Sequence, residues 1–348
     1  MIRERHQGET MSTTLKDVAR EAHVSVASVS RALNGTGVVT DRIRARVLEV
    51  ATRLQYVPNS GAQSLMTRRT RIIGVLLPDL QGEYFAELIR GIDIAARARG
   101  LHLLISTSHN GPEEVGEALR AMTGRVDGLL IMAPHIDKHA LQERLQGTLP
   151  AVLISTVDTD HTHRCVYVDN AASAYAMVKH LAGCGHRFIA HIAGPAGNVD
   201  AQERLRGYRD ALARELPGAR EYLVQGNFTE DSGYRAGCEI LAQARRPDAI
   251  FAANDMMAIG CLYALTEAGV NVPRDVALAG FDDIPTARFV SPPLTTVRVK
   301  IADLGSRALE RLATWIENPD EPNSFTETVP AELVVRASCG SRQRSSMS

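Results

Sequence analysis

Cysteine pairs, long apolar runs and catalytic signatures are all missing from this chain, and each absence removes a class of protein. Five cysteines are scattered over 348 residues, at 165, 184, 238, 261 and 339, with no CxxC pair. Such spacing offers neither a disulfide framework nor a ribbon-type zinc site, and Cys184 and Cys261, in apolar surroundings, read as reduced core residues. No apolar stretch approaches the roughly 18 residues of a membrane helix, and Met1–Thr13 lacks the hydrophobic core of a secretory leader. A cytoplasmic protein without a membrane partner is expected. There is no GxSxG elbow, P-loop, HExxH or GxGxxG fingerprint, and no carboxylate pair is visibly placed for acid–base work. The chain does not read as an enzyme, and no cofactor is expected. His161, His163 and Cys165, with Asp158 and Asp160 nearby, match none of the usual zinc spacings and read as a polar surface loop. His102, His109, His135 and His139 are isolated and read as surface or satisfied residues.

What is present begins at Thr14–Asn34, TLKDVAREAHVSVASVSRALN. Thr14 and Asp17 have capping-box spacing, and Leu15, Val18, Ala19 and Ala22 recur at helical intervals. His23-Val24 interrupts the pattern. Ser25 then suits the N-cap of a second helix with Val29, Ala32 and Leu33 inward. Its outward residues, Val26, Ala27, Ser28, Ser30 and Arg31, include no acid, so this face can approach a polyanion. Arg31 can pair bidentately with a guanine edge. A third helix is expected from Asp41 through Leu54, with Ile43, Val47, Val50, Ala51 and Leu54 on one face and Arg42, Arg44, Arg46 and Arg53 between them. Residues 14–71 carry a net charge of +6, while the rest of the chain nets −7. A basic head on an acidic body is the asymmetry of a nucleic-acid-binding module joined to something else.

From Arg71 onward, short apolar strands alternate with amphipathic helices. Strands are expected at 72–77, 101–106, 128–133 and 151–155, and again at 188–193, 221–225, 249–252 and 277–281. Helices are expected near 85–99, 112–123 and 138–146 in the first series. Continuous apolar strands alternating with helices imply parallel sheets covered on both faces. Two such series imply two doubly wound subdomains with a ligand cleft between them, at the carboxyl ends of strands. Tyr84 and Phe85 follow the first strand and could wall that cleft. Asn198 and Arg204 lie past another strand, and Asp169 sits at a crossing, as a ligand contact or a hinge residue.

The run TLKDVAREAHVSVASVSRALNG, the segment Leu54-Gln55-Tyr56-Val57-Pro58-Asn59 and Ile73-Gly74-Val75 resemble the lactose-repressor/galactose-repressor (LacI/GalR) family over nearly the whole chain. The resemblance implies an α/β fold: a helix-turn-helix head at 14–58, a hinge helix and linker at 59–70, and a type I periplasmic-binding-protein-like core at 71–340. Its N-subdomain would comprise 71–168 plus 298–325, and its C-subdomain 169–297 plus 326–340. Three chain crossings are expected, near 168–169, 297–300 and 325–328. Residues 1–13 would be a disordered extension, with Met11 a possible start, and 341–348 a disordered tail. The resemblance places Val26 and Ala27 at specificity-setting positions, Leu15, Ser25, Ser28, Ser30, Arg31 and Asn34 on DNA, and Asn59, Ala62 and Leu65 on a minor-groove helix that Leu65 wedges open. It makes Arg204, Phe228, Asn254 and Asp282 effector contacts. The implied protein is a homodimeric transcriptional regulator of a palindromic operator, under a small effector: a sugar or sugar acid first, a purine second. A sugar-binding sensor with a vestigial head is the alternative. Two positions depart from the family pattern, His23 where glycine is usual in the turn and Gln202 where some relatives place a second cleft arginine.

Overall fold

The structure is a computed structural model that describes residues 13–34, 38–56, 69–109, 111–136, 141, 145, 149–155, 164–319 and 325–340. The chain divides into two compact units, Met1–Thr70 and Arg71–Ser348.

The first unit contains α1 (Leu15–Ala22), α2 (Val26–Asn34) and α3 (Asp41–Arg53). The Asp17 carboxylate accepts from the Thr14 N–H at 3.0 Å and the Thr14 hydroxyl at 2.6 Å, closing the start of α1. His23 ends α1 in the left-handed region (φ 53°, ψ 42°), where its N–H and that of Val24 return to carbonyls of the last turn. A left-handed residue is the ordinary way to stop a helix, and glycine adopts it at least cost. Ser25 Oγ then accepts from the Ser28 N–H at 3.1 Å, capping α2. The three helices close over Val18, Ala19, Ala22, Val29, Ala32, Val47, Val50 and Ala51. Small side chains let short helices approach closely, and Leu15, Leu33, Ile43 and Tyr56 seal the margin. The expected Met1–Thr13 extension lies, apart from Thr13, outside the described residues, as do the hinge positions Asn59, Ala62 and Leu65 and the tail 341–348.

The second unit holds two six-stranded sheets. The first contains β1 (Ile72–Leu77), β2 (His102–Thr107), β3 (Gly128–Ile131), β4 (Ala151–Ile154), β5 (Arg164–Val168) and β11 (Phe325–Val329), ordered β11-β5-β4-β3-β1-β2 and wholly parallel. The second contains β6 (Ile189–Ala193), β7 (Leu223–Gln225), β8 (Ala249–Ala252), β9 (Ala277–Asp282), β10 (Thr295–Val299) and β12 (Ala331–Val334), ordered β12-β10-β9-β8-β6-β7. There only β12 runs antiparallel, against β10. Central strands such as β3 and β8 are buried along their whole length because helices cover both faces. The expected helix at 138–146 falls mostly outside the described residues, as does the His161–His163 loop.

The chain crosses between the sheets after Val168, after Val299 and at Pro330. Two expected boundaries therefore move. Residues 326–329 belong to the first subdomain, because Phe325–Val329 pairs in register with Arg164–Val168 and leaves that sheet only at Pro330. Arg298 and Val299 belong to the second, since they pair with β9 and β12 before the helix Ile301–Glu317 turns back to the first.

Two contacts bridge the mouth of the cleft. Glu83 accepts from the Thr286 N–H at 2.9 Å and from its hydroxyl, and the Val199 N–H donates to the Pro134 carbonyl at 2.9 Å. Gly82 makes this approach possible. Its φ is +92°, and a Cβ there would lie 2.6 Å from Met256 Sδ across the cleft.

Candidate functional site

On the first unit, α2 presents the acid-free face expected from its sequence. Val26 is 41 % exposed; Ser25, Ala27 and Arg31 are also exposed, and Ser28 and Ser30 are half-buried. Leu15 is turned half inward against the helical core, and Asn34 closes α2. With Val29 and Ala32 buried beneath, the face is held rigidly while its polar reach rests on Arg31 and the serine hydroxyls.

On the second unit, the carboxyl ends of β1, β3, β6, β7, β8 and β9 surround a cavity of about 280 Å³. Its wall includes Tyr84, Phe85, Asn198, Arg204, Phe228, Asn254 and Asp282, seven of the eight positions singled out from sequence. The eighth is corrected. Asp169 is exposed and does not line the cavity; it accepts from the Ala172 N–H at 2.9 Å and caps the helix Asn170–Gly183. Its place right after a crossing strand made it look like a cleft residue, but its side chain turns to the helix end.

Arg204 organises the cavity floor. Its Nε donates to Asn170 Oδ1 at 2.8 Å, Nη1 to the Ala253 carbonyl at 2.5 Å and Nη2 to Asp282 Oδ1 at 3.1 Å. Three bonds leave two of the five guanidinium N–H groups for another acceptor. The guanidinium also lies 3.8 Å over the Phe281 ring. Asn170 passes the connection on, donating to Asp200 Oδ1 at 2.9 Å. Burial pushes the Asp200 carboxyl up to about 7, with Arg204 opposing the shift and Asp282 adding to it. Burial likewise raises Asp282 to about 6, again against Arg204. Burial lifts the Tyr84 hydroxyl well above its ordinary value, so it remains a proton donor.

Local structure fixes the remaining wall. Asn198 and Asn254 cap the helices Val199–Glu215 and Asp255–Glu267, accepting from Ala201 and Met257 N–H groups, each at 3.0 Å. Asn254 also donates to the Phe228 carbonyl at 3.0 Å, holding Phe228 at φ +72°. A left-handed phenylalanine is strained, and such strain persists only where neighbours over-determine it. Gly194 leaves room for the ring, since a Cβ there would lie 2.5 Å from Phe228 Cζ. Behind the wall, buried Asp255 accepts from the Thr296 hydroxyl at 2.6 Å and the Ile284 N–H at 3.0 Å, and its carboxyl is raised well above the ordinary range by burial and by Asp282.

Sequence reading did not place Met132, His135 and Met256 at this wall; Asp79, Gln81, Asp200, Asn227 and Thr229 lie in segments it turned toward the cleft but did not single out as contacts. Asp200 stands one helical turn before Arg204, the one spacing signal that pointed to it. Asp79, His135 and Thr229 arrive on loops after three different strands, at the carboxyl ends that face the cleft.

Residues 14–59 match bacterial regulatory proteins of the lacI family, and residues 178–339 match a periplasmic binding protein-like domain. Catabolite control protein A of Priestia megaterium is 33 % identical over 331 residues, covering 94 % of this chain and 99 % of that protein. The chain belongs to the LacI family. The ribose operon repressor of Haemophilus influenzae is 33 % identical, over 93 % of this chain and 98 % of its own length. Among solved structures, the lac repressor dimer bound to operator and the anti-inducer ONPF superposes with a TM-score of 0.87, at 28 % identity over 94 % of this chain and 99 % of that one. This LacI-family chain is thus a ligand-responsive, DNA-binding transcriptional regulator and not an enzyme. No described helix is long and apolar enough to cross a membrane.

Proposed function

We propose that the chain is a cytoplasmic, homodimeric repressor whose cavity takes a small neutral sugar. The observation that carries this reading is the cavity floor. Two buried acidic side chains, Asp200 and Asp282, face the space with one arginine that already holds Asp282, and exposed Asp79 stands at its rim. Such a lining accepts hydrogen bonds from hydroxyl groups and repels an added carboxylate, so a neutral polyol fits better than a sugar acid. Tyr84, Phe85 and Phe228 supply flat apolar faces for a ring. A volume of about 280 Å³ lies near the lower end of ordinary ligand pockets, about 300–1,000 Å³, which suits one sugar ring. A purine would share the aromatic wall but offer the acidic floor fewer hydroxyl donors than a polyol. The ribose operon repressor by its name concerns a sugar, in accord with this reading.

On DNA, α2 enters the major groove of a palindromic operator in each half-site. Arg31 reads a base edge, Val26 and Ala27 contact thymine methyl groups, and Ser25, Ser28, Ser30 and Asn34 hold phosphates. Leu15 supports this face from its margin. Residues 14–58 form the head and 59–70 the hinge, with Asn59, Ala62 and Leu65 in the minor groove. Thermal-shift screening of neutral sugars, sugar acids and purines against wild type and Phe228→Leu tests the effector assignment. A neutral sugar is expected to stabilise wild type and to do so less in the variant. A purine or sugar acid as the sole hit would overturn it. A gel shift with the upstream region of its own gene separates the repressor from a sugar sensor with an inert head.

A further inference from the structure

At the far end of the helix Asn170–Gly183, three soft or borderline ligands meet from distant parts of the sequence. His180 and Cys184 lie one turn apart on the helix end, and Cys339 closes the 3-10 turn Ala337–Cys339. Their ligand atoms all lie within 4.8 Å of one another. His180 Nε2 is 3.4 Å from Cys339 Sγ and 3.6 Å from Cys184 Sγ. A tetrahedral zinc ion, with Zn–S of about 2.3 Å and Zn–N of about 2.0–2.1 Å, sets N and S about 3.6 Å apart. The side chains are already spaced as such an ion would space them.

We propose that His180, Cys184 and Cys339 form a zinc site in which water completes the tetrahedron. Two thiolates and a neutral imidazole balance the charge of the ion, and each thiol releases its proton to solvent as the metal binds. The frame is firm. The His186 ring nitrogen lies 3.0 Å from the Cys339 carbonyl, Ser338 Oγ donates to the Leu278 carbonyl at 2.6 Å, and the Thr295 N–H donates to Ser338 Oγ at 2.8 Å. Cys339 is fully buried while His180 and Cys184 are half-buried, so the site has a protein wall on one side and an entry on the other. The Cys339 thiol lies 3.4 Å from His180 Nε2 and makes a long contact of 3.7 Å to the Arg336 carbonyl, which a metal bond would replace. The ion would clip the first helix after the first crossing to the turn that follows the last one.

Cobalt(II) is the probe. The reduced, metal-free full chain, without a histidine tag, is titrated with cobalt and read by absorption. One ion per protomer is expected, with thiolate-to-cobalt charge-transfer bands, tetrahedral visible bands and bleaching by added zinc. Cys184→Ser, a half-buried position whose folding is checked by circular dichroism, should weaken binding by more than about a hundredfold. Cys339→Ser should do the same, and Cys238→Ser, at an exposed cysteine outside the cluster, should not. Zinc should also raise the unfolding midpoint of wild type and not of Cys184→Ser. No cobalt uptake by wild type overturns the proposal, as does an unchanged spectrum in Cys184→Ser. So does a chain that binds no metal while a mild oxidant joins Cys184 to Cys339.

Discussion

The two units of this protein solve opposite problems with their polar residues. The head buries only valine and alanine at its centre and turns Arg31 and its serines outward. The body buries Arg204, Asp200, Asp255 and Asp282 inside, paired with one another and with Asn170 and Thr296. A polyanion is met on a surface, where long charged side chains can stay hydrated until contact. A small polar ligand must be enclosed, so its partners are desolvated beforehand and held by their own hydrogen bonds. Mutations should therefore cost stability in the body and affinity in the head.

The largest effect is expected for Asp282→Ala, which leaves the Arg204 guanidinium buried without its anion. Breaking such a pair costs about 3–5 kcal/mol. Trp315, the single tryptophan, lies in the body, so its fluorescence follows denaturation of that unit. A loss under about 1 kcal/mol would show the floor to be as loosely held as a surface pair. Arg31→Ala should invert this outcome, costing about 1–3 kcal/mol of operator affinity with the Trp315 curve unmoved. Retained discrimination at the contacted base would remove Arg31 as the reader.

Acidity should act on Asp200 in the body and Asp17 in the head in opposite directions. Asp200 rises from 3.8 to about 7 on folding, so the folded body binds protons more readily than the unfolded chain. Its contribution is fully present below 3.8 and is lost as pH rises through about 7. Asp17 in the head is lowered by hydrogen bonds from Thr14, so its contribution is present above 3.8 and lost on acidification. Denaturation of wild type and Asp200→Asn across this range checks the first claim, since the variant should flatten the slope. The smallest change is His23→Gly. Relieving a left-handed histidine, at some entropic cost in the unfolded chain, should stabilise the head by less than about 1 kcal/mol. A fall in the head's midpoint would mean that the His23 side chain contributes a contact of its own.

How legible each part was follows from the same contrast. Central strands such as Ile72–Leu77 and Ala249–Ala252 were plain because burial on both faces demands unbroken apolar runs. Arg164–Val168, Thr295–Val299, Phe325–Val329 and Ala331–Val334 were not seen as strands, because polar residues interrupt them for tertiary reasons. Thr296 serves Asp255, Arg298 pairs with Asp283, and Glu327 meets Arg307 and Arg311. That blindness also displaced the last crossing, since FTETV reads as a connector until its partner strand is known. Cavity residues that open a helix or follow an apolar strand were legible by position. Met132 and Met256 were hidden because apolar residues at such positions read as core, and His180, Cys184 and Cys339 because they lie far apart in the sequence, at 180, 184 and 339.

The order of the first sheet has a consequence for how the chain is made. Its edge strand, Phe325–Val329, leaves the ribosome only after five of the six strands of the second sheet have been synthesised. Until then Arg164–Val168 stands as an open parallel edge, a place where a nascent chain can pair with the wrong neighbour. The second lobe can gather five of its six strands while the first waits, and the two lobes are then completed in close succession, the first by β11 and the second by β12. A stop anywhere before Phe325 would leave both lobes incomplete, with β12 missing from one and β11 from the other.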